Sequence, residues 1–225
     1  MQHQARTQKL AVAALLATSA LVIIGGAIWG VKLFIDHHEQ TTAQPVDMAI
    51  GGFPMSGALA PDFMLIDQFN HSLTLSSLRG HEVVLAFIDA RCKTLCPLTA
   101  NVMYNAKVQL GSTLASQVDL VAVNANPTAT SVAETQSWSI AHGLLHQWSF
   151  LTGTPQQLQA IYHAYNVYVQ TDAGGDAVHD PVTFIIDAQG HERLYYETLD
   201  SQNRVDLNDE ESGMVAGMRQ WLPHT

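Results

Sequence analysis

Two cysteines are the only ones in the chain, and they stand four positions apart in Arg91-Cys92-Lys93-Thr94-Leu95-Cys96-Pro97. So few cysteines cannot frame a disulfide-rich scaffold, so the pair reads as redox-active or metal-binding. A thiolate is the nucleophile of disulfide exchange and also a soft metal ligand. The i, i+4 spacing allows a disulfide or two sulfurs converging on one ion. A static staple is the plainer alternative, but closing so short a loop removes little entropy from the unfolded chain. Pro97 suits the first turn of a helix, where its missing N–H costs nothing. That puts Cys96 near the helix N-cap, under unpaired amides and the positive end of the dipole, with Arg91 and Lys93 close by. These conditions favour thiolate over thiol, and Cys96 is expected to feel them.

The second chemical signal is Val178-His179-Asp180-Pro181, which leads into the apolar run Val182 to Ile186. A Pro at that place marks a tight turn, sometimes a cis one. Most of the eleven histidines read as ordinary surface residues, including His37 and His38 in a polar stretch. His179 is different only if the fold carries it to the cysteines. Two thiolates and one imidazole would then make a three-coordinate soft site suited to copper.

The elements that would position these residues follow from hydropathy patterning. Val83 to Ile88 is a continuous apolar run, the mark of a strand buried on both faces, and Val118 to Val123 is another. Between them Val102, Met103, Ala106 and Leu110 recur at helical spacing, so Pro97 to Leu110 is expected to be the helix of a right-handed crossover. Phe63 to Ile66 and Ser72 to Leu75 suggest an N-terminal hairpin. A second helix is expected over Ala129 to His142. Thr154-Pro155-Gln156-Gln157 is a capping box that opens a third. Val182 to Ile186 and Arg193 to Thr198 read as the last two strands, and Gly213 to Leu222 as a closing helix. The order resembles a thioredoxin-like α/β fold with an N-terminal β-hairpin extension. In that layout the Pro181 turn lies against the helix start that carries the cysteines.

A chain of 225 residues has room for one such domain and an anchor. Leu10 to Val31 holds 22 residues without a charge, which as a helix reaches about 33 Å and covers a bilayer core. Cleaved signal peptides have shorter apolar regions, so an uncleaved transmembrane helix is expected over 10–31, with Gly25, Gly26 and Ala27 leaving cleavage as the alternative. Arg6 and Lys9 precede it, while Lys32 is soon followed by Asp36 and Glu39. The positive-inside bias then keeps residues 1–9 in the cytoplasm and puts the domain on the extracytoplasmic side of the cytoplasmic membrane. Residues 32–57 read as a linker and 58–225 as the folded domain. All twenty acidic residues lie at or beyond Asp36, against seven basic ones in that part, and so acidic a surface disfavours nucleic acid as a partner.

Across roughly residues 58 to 200 the chain resembles the SCO/SenC family of membrane-anchored, thioredoxin-like copper-binding proteins. The likeness is carried by Ala60-Pro-Asp-Phe63, Leu75-Ser-Ser-Leu-Arg-Gly80, Cys92-x-x-x-Cys96-Pro97, Leu151-Thr-Gly153, and His179 eight residues ahead of Asp187. The resemblance implies copper as the bound metal and Cys92, Cys96 and His179 as its ligands. It also implies a partner: a cytochrome oxidase subunit whose copper centre is being assembled, or another extracytoplasmic copper or thiol protein. The chain departs from the family at Lys93, where a Pro is usual, and at Asn126-Pro127-Thr128-Ala129-Thr130-Ser131, where two carboxylates are missing. Pro181 to Asp187 looks more like the Pro-containing strand of tethered thiol oxidoreductases.

Two functions are therefore expected to compete. One is a copper chaperone acting in cytochrome c oxidase copper-centre assembly. The other is a thiol-disulfide oxidoreductase in which Cys92 attacks and Cys96 resolves. A binding module with an inert disulfide is a third. A peroxidase is disfavoured, because no separate resolving Cys exists.

Overall fold

An apolar run such as Val83 to Ile88 is stable as a strand only where both of its faces are covered. In the computed structural model, which describes residues 52–198 and 207–222, that run lies wholly buried at the centre of a sheet. The elements are β1 (Phe53–Pro54), β2 (Met64–Ile66), β3 (Ser72–Thr74), β4 (Glu82–Ile88), α1 (Leu95–Gln109), β5 (Val118–Asn124), α2 (Val132–Ala141), β6 (Ser149–Leu151), α3 (Pro155–Ala164), β7 (Val169–Thr171), β8 (Ala177–His179), β9 (Val182–Ile186), β10 (Glu192–Glu197) and α4 (Leu207–Trp221). The main sheet runs β1-β10-β9-β4-β5-β6. β4, β5 and β6 are parallel, whereas β9 is antiparallel to β4 and β10 to β9.

Alternation along β4 divides the core. Val84, Ala86 and Ile88 join Met103 and Ala106 of α1 and Met214 and Met218 of α4. Val83, Leu85 and Phe87 join Leu158, Ile161 and Tyr162 of α3, together with Phe63 and Leu65 beside the β2–β3 hairpin. The mixed α/β architecture expected from the sequence is thus a sheet with α1 and α4 on one face and α3 and the hairpin on the other.

Local signals set the helix ends. α2 starts at Val132 rather than Ala129, because the Ser131 side chain caps Glu134 N and Glu134 returns the contact. Thr154 and Gln157 form the same device at α3, with Pro155 at its first position. Strand pairing is already present ahead of residue 58, at Phe53–Pro54. Phe53 pairs with Tyr195 and their rings stack at 5.0 Å.

The expected span over 10–31 and most of the expected linker lie outside the described residues. Among the described residues no helix is long and apolar enough to cross a membrane.

The topology decides what can meet the cysteines. β4 ends at Ile88 and leads into the cysteine loop, and antiparallel β9 begins at the same end of the sheet, immediately after His179 and Pro181. His179 is therefore not in a loop as its sequence context suggests. It closes β8, which pairs only with β7 in a separate two-stranded ladder. No cis peptide bond occurs among the described residues, so the turn at Pro181 is trans.

Candidate metal and thiol site

The cysteine loop is shaped by hydrogen bonds that start where β4 stops. The Asp89 carboxylate accepts the Arg91 N–H at 2.8 Å and the Asp89 carbonyl accepts the Cys92 N–H at 3.1 Å, turning the chain out of the sheet. The indole Nε1–H of Trp138, on α2, donates to the Cys92 carbonyl at 3.2 Å and fixes the loop from the side. Trp138 is itself held by stacking on His142, with ring centroids 3.8 Å apart, and on Trp148. Thr94 is the N-cap of α1, so Cys96 and Pro97 lie within its first turn.

The two sulfurs differ sharply. Cys92 is half-buried and Cys96 is 2% exposed, and both are free thiols. The Cys92 sulfur receives the Cys96 backbone N–H at 3.5 Å and lies 3.7 Å from Thr94 Oγ1. The Cys96 thiol donates to it, and with the Thr94 and Cys96 amides this outweighs burial and brings the Cys92 thiol down to about 4. Cys96 is held the other way. Having given its hydrogen bond to Cys92, being buried, and facing the Cys92 charge, it keeps its proton. The expectation that Cys96 would be the activated thiolate is thus corrected: the helix start acts on Cys92, whose sulfur reaches back to the amide of Cys96. Arg91 contributes less than its position suggested. Its guanidinium turns away to Glu134 at 2.9 Å and to Thr128.

His179 completes the cluster from the other segment. Its Nε2 lies 3.6 Å from Cys96 Sγ, and its Nδ1 is 2.9 Å from the Asp180 carbonyl. A carbonyl only accepts, so a hydrogen bond there requires the proton on Nδ1. In the neutral ring Nε2 then offers a bare lone pair toward the sulfur, the arrangement of a ligating imidazole.

The structure thus brings Cys92, Cys96 and His179 to one end of the sheet. It does not close them around a point. Among the described residues no group of three or more His, Cys, Asp or Glu side chains stands as an assembled metal cage. The donor chemistry suits a soft ion all the same: one sulfur already anionic, a second behind it, and an oriented imidazole nitrogen. Beside Cys92 an open groove runs along α2, lined by Ala90, Lys93, Ser137, Trp138, Ala141 and His142.

Two residues of this region carried no signal that singled them out in the sequence. Asp89 is 4% exposed, and burial raises the pKa of its carboxyl even though the Arg91 N–H and the Asn126 side chain bond it. Trp138 is the other. A polar residue ending an apolar strand just ahead of a Cys could have drawn attention to Asp89, but the contact of Trp138 with the loop spans 46 residues of chain.

Comparison with known proteins adds a family model, described as SCO1/SenC, that matches residues 54–207. Among solved structures, Arabidopsis thaliana ScoI with copper bound is similar at 20% identity and a TM-score of 0.62, over 73% of this chain and 100% of that one. Bradyrhizobium japonicum ScoI with copper bound is similar at 18% identity and a TM-score of 0.60, again over 73% and 100%. Yeast Sco1 with copper bound is similar at 19% identity and a TM-score of 0.58, over 74% and 91%. No curated protein sequence matches. At such identities the structural likeness speaks for the fold, a mixed α/β fold resembling these thioredoxin-like structures.

Proposed function

The chain belongs to the SCO1/SenC family, and from that premise we propose that it binds one copper ion through Cys92, Cys96 and His179 and delivers it to a cytochrome oxidase under assembly. The observation that carries the proposal is the 3.6 Å approach of His179 Nε2 to Cys96 Sγ. It joins a nitrogen donor to the sulfur pair across the two halves of the domain.

Each ligand has its own task. Cys92, partly exposed and ionised, offers the first sulfur to an arriving ion. Cys96 releases its proton as it binds, so uptake is linked to proton release. Rotation about the Cα–Cβ bonds of the cysteines brings their sulfurs onto an ion lying against His179. The Asp180 carbonyl keeps the proton on Nδ1 and so keeps Nε2 available. Delivery would run through the Cys92 side, where the groove along α2 leaves room for a partner's sulfur or imidazole to displace the donors in turn.

The domain would work outside the cytoplasmic membrane, held by a single helix over 10–31 with the N-terminus in the cytoplasm. This part of the proposal is supported by the uncharged run and its basic flank. A reporter fused after Thr225 should be active only on the outer side, and activity in the cytoplasm would overturn it.

A second reading is favoured by the unequal thiols. An ionised Cys92 in front of a protonated Cys96 is poised for disulfide reduction. Cys92 attacks a partner disulfide, a mixed disulfide forms and one partner sulfur leaves as thiolate. Cys96 then loses its proton and attacks the Cys92 sulfur, forming the Cys92–Cys96 disulfide and releasing the second partner thiolate. Two electrons pass to the partner. The experiment that separates the readings measures copper stoichiometry and disulfide reduction on the reduced protein and on His179→Ala. One copper per chain, with affinity lost in His179→Ala, supports the carrier. If His179→Ala binds copper as tightly as the parent, the carrier reading fails in favour of thiol chemistry.

A further inference from the structure

His179 sits on a hairpin that cannot hold itself. β7 and β8 share three paired residues and, among the described residues, join no other strand, and a lone two-stranded hairpin is marginal in water. Its base is tied where Asp180 N–H donates to the Tyr168 carbonyl at 3.0 Å and the Asp180 carboxylate accepts the Tyr168 N–H at 2.8 Å. His179 pairs with Val169 beside this base, and the turn at Gly175, four residues away, is the other point at which the hairpin is fixed.

The tip is closed locally by Asp172, whose carboxylate accepts the Gly174 and Asp176 N–H groups, and it is also tied to a different part of the chain. The Gly175 carbonyl accepts from Asn126 Nδ2 at 3.1 Å and from Thr128 Oγ1 at 2.9 Å. Gly175 has φ +86, which favours glycine, and a Cβ there would crowd Thr128 Oγ1 at 3.1 Å and Arg91 Nη1 at 3.3 Å. The other side of the contact is rigid. Asn126 is fully buried, and its own loop is pinned by Asn124, which accepts the Asn126 N–H at 3.1 Å and donates to the Ala129 carbonyl at 2.6 Å. Asn126 Oδ1 orients Thr128 by accepting its backbone N–H at 2.9 Å. The Asn126 side chain also hydrogen-bonds the Asp89 carboxylate, just below the cysteine loop.

We infer that Asn126 and Thr128 are positioning residues for the metal site, tying the tip of the His179 hairpin to the loop after β5 and so holding His179 in register with Cys96. In this chain the contact is made by an amide at 126, where the family usually has a carboxylate. Its nitrogen donates both to the Gly175 carbonyl and toward Asp89; a carboxylate would donate to neither and would repel both oxygens. The inference rests on the copper reading above, and the test keeps the two apart.

The reduced full-length protein, its variants Asn126→Asp, Thr128→Val and Thr128→Ser, and His179→Ala would be titrated with cuprous ion against a chromophoric chelator. Hydrogen exchange of residues 172–179 would be followed in the metal-free proteins, and nitrogen hyperfine structure would be read by electron paramagnetic resonance after loading with cupric ion. We expect Asn126→Asp and Thr128→Val to exchange at least about tenfold faster over the hairpin and to lose about tenfold or more in copper affinity, the range for residues that orient a ligand. Their nitrogen signal should move toward that of His179→Ala. Thr128→Ser, which keeps the hydroxyl, should behave as the parent. If the parent binds copper and Thr128→Val matches it in affinity, nitrogen signal and exchange, the inference is overturned, whether or not Asn126→Asp folds. A parent that binds no copper overturns the copper reading itself and the role given to Asn126 with it.

Discussion

His179 Nε2 faces Cys96 Sγ at 3.6 Å, although the two residues lie 83 positions apart in the chain. The imidazole thus meets the sulfur that keeps its proton, whereas the ionised sulfur, Cys92, is supported by Cys96 and the amides at the start of α1. The proposed metal binding and the thiol reactivity should therefore be separable by mutation. His179→Ala should alkylate at Cys92 within about twofold of the parent rate at pH 7, while copper affinity falls at least about tenfold, since a ligand should matter no less than the groups that orient it. Parallel iodoacetamide kinetics and copper competition check this, and a large fall in alkylation rate would contradict it.

The low pKa of Cys92 has a direct kinetic signature. With the thiol brought down to about 4, the thiolate fraction is nearly complete from pH 8 to pH 5, so alkylation of Cys92 should be almost flat over that range. An ordinary thiol would slow about tenfold for each pH unit below its pKa. Cys96→Ala removes the largest cause of the lowering and should restore a pH-dependent rate. A parent rate that falls steeply between pH 8 and pH 6 would show that the Cys96 thiol does not support Cys92 in solution.

Trp138 offers a test of the loop's anchoring. Trp138→Phe keeps most of the stacking surface but loses the Nε1–H that donates to the Cys92 carbonyl. One net hydrogen bond is worth about 1 kcal/mol, so urea unfolding should show a loss of that order with an unchanged slope. Cys92 should also become more accessible to alkylation. An unaltered denaturation midpoint would mean that the indole contributes packing alone.

The parts legible in the sequence were those written locally. The apolar runs of β4 and β5, the capping box at Thr154, and the Pro97 helix each need only neighbouring residues to be recognised, and each lies where expected to within a few positions. The β7–β8 hairpin was not legible. Val169–Thr171 and Ala177–His179 are short, half-exposed and without an apolar run, and the turn between them, closed by Asp172, is also tied to Asn126 and Thr128, 49 and 47 positions from Gly175. The activation of Cys92 rather than Cys96 was hidden for a related reason. Spacing puts a helix start near both sulfurs, but only the directions of the S–H and N–H bonds decide which one carries charge. Arg91 shows the same limit, since the partner that takes its guanidinium, Glu134, lies 43 residues away.

The opposite end of β4 buries a carboxyl of its own. Glu82 is 1% exposed, neither of its carboxyl oxygens has a hydrogen-bond partner among the described residues, and burial, with a smaller contribution from the Asp187 charge, pushes its pKa up to about 9. In the unfolded chain the carboxyl returns to an ordinary value near 4.5. Between those two values the folded protein holds a proton that the unfolded protein has lost, so stability falls as pH rises through this window. Glu82 stays neutral and costs little below about pH 4.5. At pH 7 the penalty is on the order of 3 kcal/mol, from the separation between the working pH and the unfolded pKa. Glu82→Gln keeps the shape and removes the titration. Its stability relative to the parent should therefore be near level at pH 5 and should rise steadily toward pH 8, as measured by urea unfolding of both proteins in the same buffers. A stability difference that stays constant with pH would show that Glu82 is ionised in the folded protein, with water or a countercharge reaching it.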